Sequence, residues 1–361
     1  MAVLLITLAC SDAASSVSGQ RVAVTGLESG RLALVDLAER KVVARLGLPL
    51  SGQGVPGVSS DRTLVYYGGI DGGVNTLVEV DIEAATTRRS WKLRGTGYAL
   101  PGDTSQVFLR LAPKLTVPVN GGTEFLLWPA ERNKVLGMAR YRPADDTVLA
   151  FRRMSALNGG AVTLSERSGW PAGTIVICAA VATASEGLLL LTPDLSTVDS
   201  IPLPSLVLPP LQVIIDRDER YAYVRTVPFI FKVELATRRV VAQVQTPSWG
   251  LLGLSPDGTT IYEADPGRQL DAPGAGRVAL FSSSLQPLGT VDLNPLMPQP
   301  TTWMTVGIND SLALVSAGTP PGTLGQRPQP ASLFVIDIRR RVVLDRILLG
   351  EYGTGMLVMV P

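Results

Sequence analysis

Histidine is absent from all 361 residues of the chain. Its absence excludes Ser-His-Asp and Cys-His nucleophile designs, His-ligated zinc and the two-His-one-carboxylate iron site. It also excludes His-ligated haem and imidazole pH switching near neutrality. Cysteine is almost as scarce. Only Cys10 and Cys178 occur, with no CxxC spacing, so redox and thiolate-metal motifs are missing too. Lysine appears only at positions 41, 92, 114, 134 and 232, the remaining cations being arginine. The formal net charge is +1, so bulk charge gives no attraction to nucleic acid, and no nucleic-acid partner is expected. No phosphate-loop pattern is present, and Gly159-Gly160 has no GxGxxG or Gly-Lys-Ser/Thr context. No cofactor is expected.

With 46% hydrophobic and 17% charged residues, the chain is too apolar for disorder and long enough for a large core. Long 3.6-periodic amphipathic stretches are lacking, and short apolar runs bounded by turn residues take their place. One phrase recurs among these runs: an apolar strand, a turn carrying Asp, Glu, Arg or Thr, then a second apolar strand. Leu34-Val-Asp-Leu-Ala-Glu-Arg-Lys-Val-Val43, Val233-Glu-Leu-Ala-Thr-Arg-Arg-Val-Val241 and Val335-Ile-Asp-Ile-Arg-Arg-Arg-Val-Val343 are its clearest copies. Further copies fall at Glu79–Ala84, Leu127–Arg132, Leu191–Leu195 and Leu280–Leu285. Corresponding positions 36, 81, 128, 192, 234, 282 and 337 define seven units of roughly 45 residues.

A second hairpin precedes most copies, as in Leu211–Asp218 leading to Tyr221–Arg225, and Leu251–Gly258 leading to Thr259–Tyr262. Each unit therefore has four antiparallel strands, named A to D from the inside outward. Four strands per 40–50 residues, repeated seven times, predict an all-β, seven-bladed β-propeller occupying residues 21–361 as one domain. Residues 21–46 supply only B, C and D, and the run Gly355–Val360 supplies the missing A strand. The C-terminal strand is thus expected to join the N-terminal blade and close the ring, removing an exposed sheet edge.

Met1–Asp12 is an apolar run ending in a small residue before Cys10, too short to span a bilayer. It resembles the end of a bacterial lipoprotein signal, in which Cys10 becomes the acylated first residue and residues 11–20 a short flexible tether. No Lys or Arg precedes the run, and Thr7 stands where Leu is preferred. Residues 1–20 are read as an export signal and tether, the competing reading being a first strand or ragged terminus with an ordinary buried Cys10. The chain is expected to be periplasmic or at the cell surface, held to the membrane through a lipid anchor only.

Val-Asp-Leu-Ala-Glu-Arg-Lys-Val-Val-Ala, Leu-Ser-Pro-Asp-Gly-Thr-Thr-Ile-Tyr and Val-Ile-Asp-Ile-Arg-Arg-Arg-Val-Val resemble the YVTN-type repeats of seven-bladed propellers. That group is similar in fold to the large subunit of quinoprotein amine dehydrogenases and to bacterial surface-layer repeat proteins. The resemblance runs from about residue 20 onward and rests on strand and turn residues, so it implies fold rather than activity. Its lactonase-like and haem-containing members depend on His or CxxCH, which this chain lacks.

Differences between the repeats are where function is to be sought. Tyr98, Tyr141, Trp249, Trp303 and Tyr352 recur near the starts of A strands, where aromatic rings can form a ligand platform at the channel rim. Arg94 and Arg140 follow D strands and would pair with an anionic group there. The competing readings are that the aromatic rings plug the channel or pack between blades, and that the two arginines are solvated surface residues. Asp61, Asp103, Asp218, Asp257 and Asp310 are read as turn residues rather than a carboxylate ring. Asp216-Arg-Asp218-Glu219 lacks the rest of a calcium-loop pattern. Long B–C insertions are expected at 68–75, 113–122, 265–276 and 317–331, with the largest insertion in the fourth unit, from Met154 to Gly173.

No catalytic or metal-binding residue stands out. The chain is expected to be a non-catalytic, extracytoplasmic protein-binding or scaffold module, within an envelope or membrane-associated complex. The apolar Ile201–Pro210 connection would need a partner or a neighbouring blade to cover it. The alternative is an enzyme or enzyme subunit of quinoprotein dehydrogenase type, binding a small ligand at the central channel.

Overall fold

The structure is a computed structural model. It describes residues 21–24, 31–48, 57–59, 63–93, 110–119, 122–131, 134–157, 160–164, 175–179, 187–192, 194–204, 212–216, 218–226, 228–246, 250–255, 257–265, 276–293, 302–307, 312–319, 329–352 and 357–360. Short β-branched and aliphatic runs between turn residues give strands throughout. They assemble into seven four-stranded antiparallel sheets.

In order A to D, the first sheet joins Leu357–Val360, Arg21–Val24, Arg31–Asp36 and Lys41–Gly47. The second joins Gly57–Val58, Leu64–Asp71, Val74–Asp81 and Thr86–Lys92. The third comprises Arg110–Val119, Glu124–Glu131, Lys134–Arg142 and Thr147–Leu157. The fourth comprises Gly160–Leu164, Ile175–Ala179, Gly187–Leu191 and Thr197–Ile201. Gln212–Ile215, Tyr221–Arg225, Phe229–Glu234 and Arg239–Gln245 make the fifth. Leu252–Leu254, Thr260–Asp265, Arg277–Ser282 and Pro287–Asp292 make the sixth. Thr302–Gly307, Leu312–Thr319, Gln329–Asp337 and Val342–Tyr352 make the seventh.

The A strands of the second to seventh sheets touch one another in sequence order, and that of the seventh touches Leu357–Val360 of the first, so the sheets are arranged as a β-propeller. Leu357–Val360 pairs antiparallel with Arg21–Val24, with Val360 opposite Arg21 and Leu357 opposite Val24.

Each C–D hairpin repeats one backbone device. A single non-glycine residue enters the left-handed region in every C–D turn: Arg40, Ala85, Asp146, Leu195, Arg238, Leu285 and Arg341. The ladder beside each turn shifts register between the last residues of strand C, for example at Leu34/Val35 and Val335/Ile336. Such a bulge tightens the local twist. The Asp of the recurring phrase caps this turn. Asp36 Oδ1 accepts from the Ala38 and Glu39 amides at 2.8 and 2.9 Å, and Asp337 Oδ1 from the Arg340 amide at 2.8 Å.

The core lies between sheets. Leu32, Leu34, Val65, Tyr67, Val78 and Val80 fill the seam between the first and second sheets. Ala33, Val35, Leu314, Leu333, Ile347 and Leu349 fill the seam between the seventh and the first. Each sheet buries both faces, which is why the inner strands read as continuous apolar runs rather than alternating ones.

The fully buried Arg225 crosses the seam between the fifth and sixth sheets. Its Nη2 lies 2.8 Å from Glu263 Oε1, and its Nε donates to the Gly250 carbonyl at 3.2 Å. Glu263 Oε2 accepts from Thr246 Oγ1 at 2.7 Å.

The third unit differs from the sequence-based expectation. Leu127–Arg132 is not a C–D turn, because Glu124–Glu131 is strand B. The C–D turn follows Arg142 instead, as Arg142-Pro-Ala-Asp-Asp-Thr147, where Asp146 takes the left-handed conformation. The segment 68–75 is no insertion either. Gly68 pairs with Leu77 and Ile70 with Asn75, and a two-residue Gly72-Gly73 turn closes the hairpin with φ of 54° and 88°. Pro113 lies within strand A of the third sheet. The segment from Met154 is the end of strand D of the third sheet, followed by strand A of the fourth.

Candidate functional site

Three turns meet at the rim between the fifth and sixth sheets and enclose a groove of about 480 Å³. The A–B turn of the fifth sheet contributes Asp216 and Asp218, and that of the sixth contributes Asp257, Gly258 and Thr259. Ser283, in the C–D turn of the sixth sheet, completes the wall. Tyr221 and Tyr223 on strand B and Lys232 on strand C of the fifth sheet form the floor. Alternation along strand B directs both tyrosines to one face, and the register sets Lys232 opposite Tyr223.

Most of the lining polar groups are committed to structure. Asp216 Oδ1 accepts from the Arg220 and Tyr221 amides at 2.7 and 2.9 Å, which closes the A–B turn. Asp257 Oδ1 accepts from Ser255 Oγ at 2.5 Å and from the Thr259 amide at 3.0 Å. Burial pushes the Asp257 carboxyl up, but the bonds from Ser255 and Thr259 outweigh it and hold the group below the usual carboxylate range. Tyr223 Oη donates to the Ser283 carbonyl at 3.0 Å, and burial pushes its phenol well above the ordinary tyrosine value.

Lys232 is different. Its Nζ lies 3.7 Å from the centroid of the Tyr221 ring and 5.8 Å from that of Tyr223. Among the described residues, no carboxylate lies within 4.0 Å of it. Burial pulls its pKa below the usual lysine value, with Asp216 opposing that shift and Arg220 adding to it. The groove thus presents an ammonium that lies over a ring face with no carboxylate within 4.0 Å among the described residues.

The lowered pKa has a chemical consequence. An amine-reactive ester at mildly alkaline pH should modify Lys232 before Lys41, whose pKa the Glu39 hydrogen bond raises. Peptide mass mapping at low conversion reads this order, and earlier modification of Lys41 would contradict it.

Of the residues expected at a channel rim, the two whose side chains are described lie elsewhere. Tyr141 and Arg140 lie in strand C of the third sheet, not at the start of an A strand or the end of a D strand. Tyr141 is buried and donates to Asp146 Oδ1 at 2.7 Å, while Arg140 binds Glu124 Oε2 at 2.5 Å. Both follow from the shifted register of the third unit. Trp303 lies in strand A of the seventh sheet, and Tyr352 ends strand D of the same sheet opposite Pro330. The side chains of those two residues, and all of Cys10, Arg94, Tyr98 and Trp249, lie outside the described residues.

Asp218 and Asp257 are turn residues, whereas Asp61, Asp103 and Asp310 lie outside the described residues. Among the described residues, no group of three or more His, Cys, Asp or Glu is placed to hold a metal ion. Ile201 and Leu203 of the apolar connection are buried against Val213, Ala222 and Val224 of the fifth sheet. A neighbouring sheet covers that part, whereas residues 205–210 lie outside the described residues.

Sequence reasoning missed Lys232 and Tyr221 as a pair. Their only sequence signal is one of five lysines in an arginine-dominated chain, lying near a Tyr-Ala-Tyr strand.

No family model matches the chain, and no curated protein matches it. Solved structures do. The dihydro-haem d1 dehydrogenase NirN in complex with DHE is similar, with a TM-score of 0.58 and 14% identity, over 91% of this chain. The chain spans 64% of that protein's length. Apo AztD from Citrobacter koseri matches with a TM-score of 0.59 and 14% identity, over 94% of this chain and 98% of its own. A putative 6-phosphogluconolactonase from Bacteroides fragilis matches with a TM-score of 0.63 and 12% identity, over 96% of this chain and 99% of its own. At these identities the likeness bears on fold alone, and the fold is a β-propeller of antiparallel sheets.

Proposed function

We propose that the chain is a non-catalytic, exported binding module: a seven-bladed propeller of YVTN type, closed by its C-terminal strand and tethered through an acylated Cys10. Seven four-stranded sheets and the pairing of Leu357–Val360 with Arg21–Val24 support the blade count and the closure. The reading of function is carried by the groove between the fifth and sixth sheets, where Lys232 stands without a carboxylate partner among the described residues. A partner protein supplies the missing acceptor, a carboxylate or a carbonyl of an extended segment laid across Tyr221. Asp218 at the groove edge is exposed and favours a cation one or two positions along that segment.

The test is capture of a partner from native membranes by the wild-type chain and by Lys232→Met and Asp218→Lys. One defined partner is expected with the wild type, weakened about tenfold by Lys232→Met if a charge-assisted bond is lost. Equal capture by all three chains would overturn the groove as the binding site. Intact mass of the native protein tests the anchor separately: an acylated N-terminal Cys10 is expected, and an unmodified Met1 would overturn it. A visible chromophore on protein from its native source would favour the quinoprotein-type alternative instead.

A further inference from the structure

The outer turn edge of the sixth, seventh and first sheets combines cations with exposed apolar side chains. The C–D turn of the seventh sheet carries Arg339, Arg340 and Arg341, all exposed. The adjoining turn of the first sheet carries Arg40 and Lys41, and Arg40 Nη1 lies 3.6 Å from Asp345 Oδ2, joining the two sheets. Seven large apolar side chains are exposed among the described residues, and five lie on the D strands of these three sheets. Val342, Leu344 and Val43 directly follow the basic turns, at 44%, 38% and 40% exposure. Leu288 sits on the neighbouring D strand beside Gly289, over which the Arg341 guanidinium lies.

The carboxylates in this region do not cancel the cations. Segments 36–45 and 337–346 hold seven cations and four carboxylates. Asp36 and Asp337 accept turn amides, and Asp337 also lies 3.7 Å from Arg340 Nε. Glu39 and Asp345 are held by Lys41 and Arg40 in exposed pairs, which are worth little and rearrange easily. Arg339 and Arg341 have no carboxylate within 4.0 Å among the described residues.

The topology adds an orientation. Arg21 pairs with Asp36, so the chain enters strand B of the first sheet at the edge bearing the C–D turns. Whatever precedes Arg21 joins the propeller there, beside the basic turns.

We propose that this edge is a membrane-contact surface for anionic phospholipid headgroups. Arginines bind phosphate oxygens, and the short aliphatic side chains between them enter the headgroup boundary. Its orienting role rests on the reading of Cys10 as a lipid anchor, because one acyl anchor alone leaves the propeller free to tumble. With this edge down, the B–C and D–A loops face away from the bilayer, while the groove at Lys232, walled by A–B and C–D turns, opens on the bilayer side and would take a membrane-associated partner there.

The experiment uses the full-length chain carrying Cys10→Ser, which cannot be acylated there, so that failure of the anchor and failure of the patch are separate results. Sedimentation with vesicles of phosphatidylglycerol and phosphatidylcholine in equal parts is compared with pure phosphatidylcholine vesicles. Binding is expected to the anionic vesicles only and to weaken with added salt. Replacing Arg339, Arg340 and Arg341 together by Gln should weaken it roughly tenfold or more. Lys92→Gln combined with Arg239→Gln, cations removed from other sheets, should leave it unchanged. An unaltered far-ultraviolet spectrum and thermal midpoint check that the triple variant folds. Equal binding to neutral and anionic vesicles, or full retention by the folded triple variant, would overturn the proposal.

Discussion

Arg225→Ala is expected to destabilise the protein by about 3–5 kcal/mol, measured as a fall in the denaturation midpoint. Arg225 is 0% exposed and Glu263 1%, so neither charge regains water when its partner goes. Removing the guanidinium strips Glu263 of its 2.8 Å counter-charge. It also removes the guanidinium bonds to the Gly250 and Phe229 carbonyls at 3.2 and 3.1 Å, although Phe229 keeps the Thr226 amide and hydroxyl as donors. Glu263→Ala should cost a similar amount, because it strands the arginine instead.

The double variant Arg225→Met with Glu263→Leu discriminates between a lost interaction and an uncompensated charge. It should recover most of the loss, since replacing a buried pair by apolar groups of similar volume is often neutral or better. A single-variant loss below about 1 kcal/mol would mean that water or other groups solvate the remaining charge. A chain of this size need not unfold in two states, so midpoints from two spectroscopic probes should be compared.

Removal of residues 355–361 is expected to have the other large effect. Those residues include the strand that pairs with Arg21–Val24. Without it the first sheet loses its A strand, and the backbone of Arg21–Val24 becomes an open edge that invites pairing between chains. The seams filled by Ala33, Val35 and Leu349 on one side and Leu32, Leu34 and Val65 on the other lose their inner support. The truncated chain should show a lowered midpoint, together with aggregates detectable by light scattering.

A circular permutant provides the complement. Joining Val360 to Arg21 by a short Gly/Ser linker, and opening the chain between residues 49 and 56, keeps all four strands of the first sheet continuous. It should retain the native spectrum and a near-native midpoint. A truncated chain with an unchanged midpoint would overturn the proposed closure. A destabilised truncation with a stable permutant would support it.

Local chemistry carried the legible part of this fold. Asp at 36, 81 and 337 caps a turn through its own side chain, so those C–D hairpins are visible in a few consecutive residues. Strand type was readable from β-branched content and from the lack of 3.6-residue periodicity, and the number of strands followed from the repeat.

Register in the third unit was not readable. Trp128-Pro-Ala-Glu131 and Arg142-Pro-Ala-Asp145 look alike as turns, and pairing with Arg110–Ala112 on one side and Lys134–Val135 on the other makes the first a strand. The strand A partners lie 16 to 20 positions away, beyond the reach of local propensity. Misplacing that turn carried Tyr141 and Arg140 to a channel rim, whereas they lie inside a sheet.

By itself the sequence determined the class of architecture, the turn chemistry of the outer hairpins and the exclusion of His-dependent catalysis. Tertiary structure alone decided what meets what. Lys232 lies over Tyr221 in a groove walled by turns from two sheets, and Arg225 meets Glu263 across a seam. The physical reason is that strands bury both faces, so a residue's environment is set by the next sheet, whose contribution comes from some forty residues further along the chain.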